Sequence, residues 1–372
     1  MSLEALCEIS RFYGRNPDFV LAGGGNTSWK DGDTLYVKGS GLALADTVPD
    51  SFVRMDRPAL ARIWEKQYPA SSAERESAVL ADMMSARKPG EEQKRPSVEA
   101  LLHDLLPFAY VVHLHPALVN GLTCSCQGES AMTEIFGADA VWIPSTNPGY
   151  VLSKTVKTAM DAYSAAHGKA PAVIFLQNHG VFAGDNSVDG IKTLYSGIMR
   201  RIGAKTKREP DFSDEKRITG DTALFGGIIT ILGELARGTA ICMRGNEIAS
   251  LVKSRASFTP VSSAFTPDHI VYAGSSPLFI EENTETAIRA AWIDQIKKTG
   301  FNPKIAAVQG LGVFGIGVTE RAASLALELF RDSIKVSVYA ESFGGPLFMT
   351  QDKMDFINNW DAERFRTDVS TK

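Results

Sequence analysis

Three histidines in two short segments have the residue type and spacing expected of a metal site. His113 and His115 lie in one apolar segment and His179 lies in another, and the chain has 6 His in all. Residues two apart on a strand point to the same face, so His113 and His115 can reach one ion. A third imidazole would leave a fourth coordination position open, as in a catalytic zinc site. The sequence therefore predicts a metal ion bound by His113, His115 and His179.

The neighbours of these histidines help to separate a metal site from an ordinary strand. A lone His-x-His pair is a weak signal, and His179 alone would more often be a satisfied turn histidine. Val111, Val112 and Leu114 are apolar, so imidazoles on this strand would be buried and would need partners. Imidazole ligands favour Zn²⁺, while Mn²⁺, Co²⁺ and Fe²⁺ remain open as alternatives.

Glu99 supplies a carboxylate upstream of the histidine pair, at the start of a predicted helix. A carboxylate beside a metal and shielded from water can serve as general acid or base. The alternative role is an acidic residue that stabilises the positive end of the helix dipole. Glu99 and His103 are spaced i, i+4, but His103 has no further ligand nearby, so we predict no second metal motif there. His167 and His269 have polar neighbours and are predicted to lie at the surface.

Two small glycine-containing loops are candidates for a phosphate site. The first covers residues 23–28 (Gly-Gly-Gly-Asn-Thr-Ser) and the second covers residues 38–41 (Lys-Gly-Ser-Gly). Free backbone N–H groups and short polar side chains can cradle a phosphate, although neither loop is a G-x-G-x-x-G or Walker A motif. A plain turn is the alternative for the first loop. Together with Ser97, the two loops could surround one phosphate without an arginine fork.

Apolar strands and amphipathic helices are predicted at several places along the chain. Predicted strands cover 34–38, 109–115 and 172–177, and predicted helices cover 2–13, 97–106, 154–167 and 189–204. Residues 205–221 are charged and poor in large apolar side chains, which is typical of a linker. The length of 372 residues suits two domains. We therefore predict a catalytic domain over 1–204, a linker over 205–221 and a second region over 222–372.

The second region contains a faint internal repeat of the first. Residues 177–182 (Gln-Asn-His-Gly-Val-Phe) resemble residues 309–314 (Gln-Gly-Leu-Gly-Val-Phe), and residues 270–272 lie upstream as residues 141–143 do. Leu311 takes the position of His179, and a leucine cannot bind metal. We predict a degenerate copy that acts as a scaffold or interface without its own site. The alternative is that strand-Gly-helix units simply look alike.

Composition limits the partners and the compartment. The formal net charge of -4 gives no reason to expect nucleic acid or an anionic membrane as a partner. The 4 Cys are too few and too irregular for a disulfide framework. The apolar runs are too short for a membrane span, and the first residues do not have the pattern of a signal peptide. We predict a soluble cytoplasmic protein.

Five separated motifs then occur in one order: Gly-Gly-Asn-Thr-Ser, Lys-Gly-Ser-Gly, Pro-Ser-x-Glu, His-x-His-Pro and Gln-Asn-His-Gly. In this order they resemble the class II aldolase/adducin family over residues 1–204. The later part is similar to the aldolase portion of bifunctional rhamnulose-1-phosphate aldolase/alcohol dehydrogenase proteins. Those proteins continue into a dehydrogenase domain, whereas this sequence stops at Lys372 without a nucleotide-binding glycine motif. It therefore looks like the aldolase portion alone.

The resemblance implies a three-layer α/β/α fold with a mainly antiparallel central sheet and a C-terminal region that partly repeats it. It also implies zinc bound by His113, His115 and His179, with Glu99 as the acid/base residue. By the same resemblance, the substrate phosphate would be approached by Asn26, Ser40, Gly41 and Ser97, with Thr27, Ser28 and Lys38 as neighbours. Val98 departs from the family pattern, because many members have a small hydroxyl residue there. This departure leaves open a different phosphate site or a different substrate.

The function implied is a zinc-dependent aldolase that cleaves a deoxy-ketose 1-phosphate, such as rhamnulose 1-phosphate, to dihydroxyacetone phosphate and an aldehyde. A metal-dependent epimerase, dehydratase or decarboxylase on the same scaffold is the alternative. A non-enzymatic scaffold like adducin would predict loss of the ligands, which are present here. The resemblance also implies a homo-oligomer and a tyrosine proton donor from a neighbouring subunit, although no tyrosine here has a matching motif.

Overall fold

The first part of the chain forms a seven-stranded sheet in the order β3-β2-β1-β4-β7-β6-β5. The computed structural model describes residues 2–219 and 223–360. The strands are β1 Asn26–Asp31, β2 Thr34–Lys38, β3 Phe52–Asp56, β4 Tyr110–Leu114, β5 Val141–Ile143, β6 Val173–Leu176 and β7 Gly180–Asp185. All neighbouring pairs are antiparallel except β5 and β6, which are parallel. The sheet is therefore mixed, and mainly antiparallel.

Helices cover both faces of this sheet. They are α1 Leu3–Gly14, α2 Arg57–Ile63, α3 Ser72–Ser85, α4 Ala100–Leu105, α5 Ala117–Thr123, α6 Gly128–Phe136, α7 Tyr150–His167 and α8 Val188–Gly203. Side chains alternate along a strand, so Val112 and Leu114 of β4 pack in the cluster with α1 and α8. Val111 points the other way and packs in the cluster with α4 and α7. This arrangement confirms the predicted three-layer α/β/α fold class.

The second part of the chain forms a five-stranded sheet in the order β10-β11-β12-β9-β8. Its strands are β8 Lys216–Ile218, β9 Thr239–Arg244, β10 Leu278–Ile280, β11 Ile305–Val308 and β12 Gly312–Gly317. Its helices are α9 Ala223–Ala236, α10 Asn246–Leu251, α11 Arg255–Phe258, α12 Pro267–Ala273, α13 Glu285–Thr299, α14 Glu320–Ala340 and α15 Gln351–Asn359. One face of this sheet forms a hydrophobic cluster with α14, and the other face forms a second hydrophobic cluster with α9 and α13.

The two sheets share one topology. The order β10-β11-β12-β9-β8 corresponds to β5-β6-β7-β4-β1 of the first sheet, and in each sheet only the first of these pairs is parallel. Within the described residues, the second sheet has no counterparts of β2 and β3. One pairing in the predicted repeat is wrong: residues 270–272 lie in α12, and the counterpart of β5 is β10. Apolar residues alone do not separate a buried helix from a buried strand.

The predicted linker is partly structured. Lys216–Ile218 of that segment forms β8 and pairs with β9, while residues 220 and 221 lie outside the described part of the chain, as do residues 222 and 361–372 of the second region. The two parts also pack directly, because α14 lies against α5. A Cβ added to Gly121 of α5 would lie 2.2 Å from the Cβ of Tyr339. Among the described residues, no helix is both long and apolar enough to cross a membrane.

Candidate metal centre and substrate cavity

The imidazoles of His113, His115 and His179 converge on one point. His113 lies near the end of β4, His115 just beyond it, and His179 in the turn between β6 and β7. The Nε2 atom of His113 lies 2.9 Å from Nε2 of His115 and 3.4 Å from Nε2 of His179. Nitrogens held tetrahedrally at about 2.0–2.1 Å from one zinc ion would be about 3.3 Å apart. Within the described residues, these three form the one group of His, Cys, Asp or Glu side chains that could hold a metal ion.

The turn that carries His179 depends on its neighbours. Asn178 adopts a positive φ of 57°, a conformation that asparagine tolerates better than most residues. Its side-chain amide donates to the carbonyl of Leu347 from the second unit at 2.8 Å. Gly180 follows, and a Cβ there would lie 2.5 Å from the Leu114 carbonyl oxygen and 2.6 Å from Cδ2 of His115. A glycine at 180 thus lets the turn approach the histidine strand.

Hydrogen bonds at Nδ1 orient two of the rings. Nδ1 of His113 is 3.1 Å from the carbonyl oxygen of Val181, and the ring stacks on Phe182. Nδ1 of His115 is 2.5 Å from Oδ2 of Asp268. Donation through Nδ1 places the lone pair on Nε2, which points to the common centre.

Burial keeps His179 neutral. Desolvation lowers its pKa to about 3, the largest of several effects and only partly opposed by the nearby Glu99 carboxylate. A neutral imidazole offers a free lone pair to a metal ion without first losing a proton.

Glu99 lies at the fourth corner of the histidine cluster. Its Oε2 is 3.5 Å from Nε2 of His113, and its Oε1 is 3.6 Å from Nε2 of His179. Oε1 is buried and has no hydrogen-bond partner among the described residues. A buried carboxylate oxygen without a donor is costly, and three imidazole lone pairs beside it complete a donor set that fits a divalent transition metal. Glu99 therefore lies beside the position that the histidines alone would leave open.

A chain of hydrogen bonds holds Glu99 from behind. The Nδ2 amide of Asn26 donates to Oε2 of Glu99 at 2.6 Å, so Oδ1 of Asn26 faces Nε2 of His103 and accepts from it. Nδ1 of His103 then accepts from the hydroxyl of Ser28 at 2.7 Å. Burial lowers the pKa of His103 well below its usual value of 6.5, which fits a neutral ring with its proton on Nε2. His103 is thus a buried structural partner of the site.

One cavity brings together most of the predicted site residues. It is lined by Glu99, His115 and His179 and, from the proposed phosphate set, by Asn26, Lys38, Ser40, Gly41 and Ser97. Thr27 and Ser28 do not line it. Both are fully buried, and Thr27 lies on the other face of β1, where its hydroxyl bonds that of Ser10 at 2.7 Å. Strand alternation turns Thr27 away from the cavity, whereas Ser28 lies on the same face as Asn26 but its hydroxyl is bonded to His103 in the interior.

Lys38 connects the two glycine loops. The side chain is buried, and its ammonium donates to the carbonyl of Leu42 at 2.5 Å and to that of Gly23 at 3.4 Å. The backbone N–H of Ser97 donates to the carbonyl of Lys38 at 3.0 Å. Lys38 therefore sets the relative position of the loops that form the cavity wall.

The second unit also contributes to the cavity, a feature that sequence reasoning missed. Pro267, the first residue of α12, lines the cavity, and the next residue is Asp268, the partner of His115. The Thr-Pro-Asp sequence is a typical helix start, and nothing local marks it as part of a site. His269 was expected at the surface, and this is wrong: it is buried and Nε2 lies 3.1 Å from Asp332 Oδ2. His167 is exposed, as predicted.

The corresponding position in the second sheet lacks the three histidines. His113 pairs with Phe182 across β4 and β7, and Cys242 pairs with Phe314 across β9 and β12. A Cβ added to Gly312 would meet Cys242, Met243 and Arg244, as one added to Gly180 meets the histidine strand. Cys242, Arg244 and Leu311 therefore replace His113, His115 and His179, and this set does not form a metal site.

Comparison with known proteins identifies the family. A family model for the Class II Aldolase and Adducin N-terminal domain matches residues 4–196, just over half of the chain. The chain belongs to the class II aldolase and adducin family. One curated relative is YuxG of Bacillus subtilis (strain 168), described as an uncharacterized oxidoreductase, which is 24% identical over 98% of this chain and 58% of the relative. This chain thus spans little more than half the length of that family relative.

Two solved structures resemble part of this chain. The N-terminal class II aldolase domain of a conserved protein from Thermoplasma acidophilum is 26% identical, with a TM-score of 0.46, covering 55% of this chain and 93% of that one. An L-fuculose 1-phosphate aldolase is 16% identical, with a TM-score of 0.35, covering 55% of this chain and 85% of that one.

Proposed function

We propose that this chain is a zinc-dependent aldolase that cleaves a ketose 1-phosphate to dihydroxyacetone phosphate and an aldehyde. The observation that supports it is the convergence of three imidazole nitrogens and a buried, donorless carboxylate oxygen of Glu99 on one point. The cavity that opens on this point is lined by the two glycine loops, which suits a phosphorylated substrate. Family membership agrees with lyase chemistry.

A divalent ion held by His113, His115 and His179 would act as a Lewis acid on the substrate carbonyl and adjacent hydroxyl oxygens. Such chemistry replaces a lysine Schiff base, so none of the lysines here is required as a nucleophile.

Glu99 would move the proton in this reaction. When the C3–C4 bond of the ketose breaks, the C4 hydroxyl loses its proton as the aldehyde forms, and C3 becomes a hydroxymethyl carbon of dihydroxyacetone phosphate and must receive a proton. Oε1 of Glu99 lies 3.6 Å from Nε2 of His179 and has no hydrogen-bond partner among the described residues, while Oε2 is held by Asn26. A carboxyl group fixed at one oxygen and free at the other is suited to deliver a proton at a defined place.

The glycine loops would bind the phosphate. Ser40, Gly41 and Ser97 line the cavity, and short side chains at these positions let backbone N–H groups approach an anion. Val98 also lines the cavity, in place of the hydroxyl residue that many family members have. We therefore propose a phosphate site that depends on backbone groups and on Ser40 and Ser97.

Elemental analysis of the purified protein, paired with a coupled triose-phosphate assay on a panel of ketose 1-phosphates, tests the proposal. We expect about one equivalent of zinc and release of dihydroxyacetone phosphate. Glu99→Gln should retain metal and lose most retro-aldol activity, about 10²–10⁴-fold. Glu76→Gln is the matched control, because Glu76 is similarly buried, accepts from the Tyr150 amide and does not line the cavity.

Three other results would contradict the proposed aldolase or a part of it. Metal without triose-phosphate release would move the reaction to an epimerase, dehydratase or decarboxylase on the same scaffold. A protein that binds no zinc, even when zinc is added, would refute the metal centre and leave a non-catalytic scaffold. Full activity of a metal-loaded Glu99→Gln protein would remove Glu99 from the mechanism.

A further inference from the structure

One contact crosses from the degenerate second unit to a histidine of the candidate metal centre. Oδ2 of Asp268, in the first turn of α12, is 2.5 Å from Nδ1 of His115. Both side chains are largely buried, at 7% and 9% exposure. In this environment the ring donates through Nδ1 to the carboxylate, which leaves the lone pair on Nε2. That atom is the one that lies 2.9 Å from Nε2 of His113.

The surrounding structure holds Asp268 in this position. Thr266 caps the helix by accepting from the backbone N–H of His269, and the ring of His269 lies 3.1 Å from Asp332 on α14. Helix α14 in turn packs on α5, which begins two residues after His115. The carboxylate and the imidazole are therefore fixed to one rigid group of helices.

The glycine loop leaves room for the carboxylate. A Cβ added to Gly24 would lie 2.7 Å from Oδ2 of Asp268. A side chain at that position would push Asp268 away from His115 unless the loop moved. The first unit thus has a space shaped for an acidic group of the second unit.

We propose that Asp268 is a positioning residue of the metal centre, through which the degenerate second unit sets the tautomer, orientation and basicity of His115. This proposal rests on the metal binding of the proposed function. A carboxylate behind a metal-binding imidazole typically changes metal affinity 10–100-fold when it is removed. The second unit has lost its own ligand set, yet supplies a group that the first unit lacks. It is then a part of the catalytic centre as well as a scaffold.

Metal affinity measured by competition with a chromogenic chelator tests the proposal on the full chain. We expect Asp268→Asn to weaken Zn²⁺ binding 10–100-fold and to alter the visible d–d spectrum of the Co²⁺-substituted protein, since the geometry at His115 changes. Asp268→Glu, which keeps the charge, should recover part of the affinity. Glu215→Gln is the control, because it removes a carboxylate that is ion-paired with Arg217 and Arg331 rather than with a histidine.

A double-mutant cycle shows whether Asp268 acts through His115. In a His115→Ala background the Asp268→Asn change should have less than a threefold effect on Zn²⁺ affinity, because the ring it orients is gone. Equal effects in both backgrounds would overturn the proposal, as would wild-type affinity and an unchanged Co²⁺ spectrum in Asp268→Asn.

These outcomes separate the two proposals. A wild-type protein that binds no zinc contradicts the proposed function itself. A wild-type protein that binds zinc tightly, with Asp268→Asn binding equally well, contradicts only the role of Asp268. Circular dichroism and the unfolding midpoint of the metal-free variants show whether each is folded. If Asp268→Asn does not fold, Zn²⁺ affinity is measured on Asp268→Glu and Gly24→Ala in its place. Wild-type Zn²⁺ affinity in both variants would overturn the role of Asp268.

Discussion

Replacing His103 tests the network that holds Glu99. His103 is fully buried and connects Ser28 to Asn26, which in turn donates to Glu99. His103→Leu removes both hydrogen bonds and leaves two buried polar atoms without partners, Oδ1 of Asn26 and Oγ of Ser28. Each such atom costs about 1–3 kcal/mol. We therefore expect the free energy of unfolding to fall by about 2–6 kcal/mol.

The same change should lower activity without removing the metal ligands. Asn26 would no longer be fixed, and a displacement of about 1 Å in the group that orients a catalytic carboxylate can reduce kcat about 100-fold. His103→Gln should keep more of both properties, because its amide can donate toward Asn26 and accept from Ser28. The His103→Leu protein should still bind zinc through its three histidines.

Urea unfolding, zinc content and the triose-phosphate assay, measured on the same preparations, give the three readouts. His167→Leu is the matched control, since His167 is exposed, and its effect should stay within about 0.5 kcal/mol. The reasoning is refuted if His103→Leu unfolds at the wild-type urea concentration, or if His103→Leu and His103→Gln lose equal activity.

Three further predictions concern acid, the turn and the second sheet. Burial lowers the pKa of His179 to about 3 and that of His103 well below 6.5. The unfolded chain binds these protons first, so metal-free protein should lose stability as pH falls below about 6.5; urea midpoints that stay constant from pH 7.5 to 5.5 would contradict this. Gly180→Ala should weaken zinc binding at least about 10-fold, because the added Cβ would lie too close to His115 and such overpacking displaces the neighbouring side chain. Gly197→Ala is its control and should bind zinc normally, because there is open space around Gly197. Leu311→His should leave the zinc content at one equivalent, because Cys242 and Arg244 replace the other two ligands; a second bound equivalent in the elemental analysis would argue against that correspondence.

Local patterns predicted much of the first unit. A short apolar run predicted a strand at 109–115, and the structure has β4 there. The spacing of His113 and His115 indicated one face of that strand, and their nitrogens do lie together. Periods of two and 3.6 residues are properties of the backbone, so they can be read from a short stretch of sequence.

Other local patterns misled. Residues 270–272 have the apolar character of a strand but lie in α12, and His269 has polar neighbours in sequence but is buried against Asp332. Thr27 and Ser28 belong to a motif that resembles a loop, yet they continue β1 into the core. In each case packing between distant segments decides which face of the residue is covered, and a single segment does not contain that information.

The sequence by itself determined the ligand types, their order and the family. The tertiary structure decided which atoms meet. Glu99 reaches the fourth corner of the histidine cluster because α4 and β1 hold it through Asn26, and His115 receives its carboxylate from a helix of the other unit. Metal coordination needs atoms within about 2 Å of one point, and His113 and His179, which are 66 positions apart, reach such a point only when the strands of the first sheet have packed together.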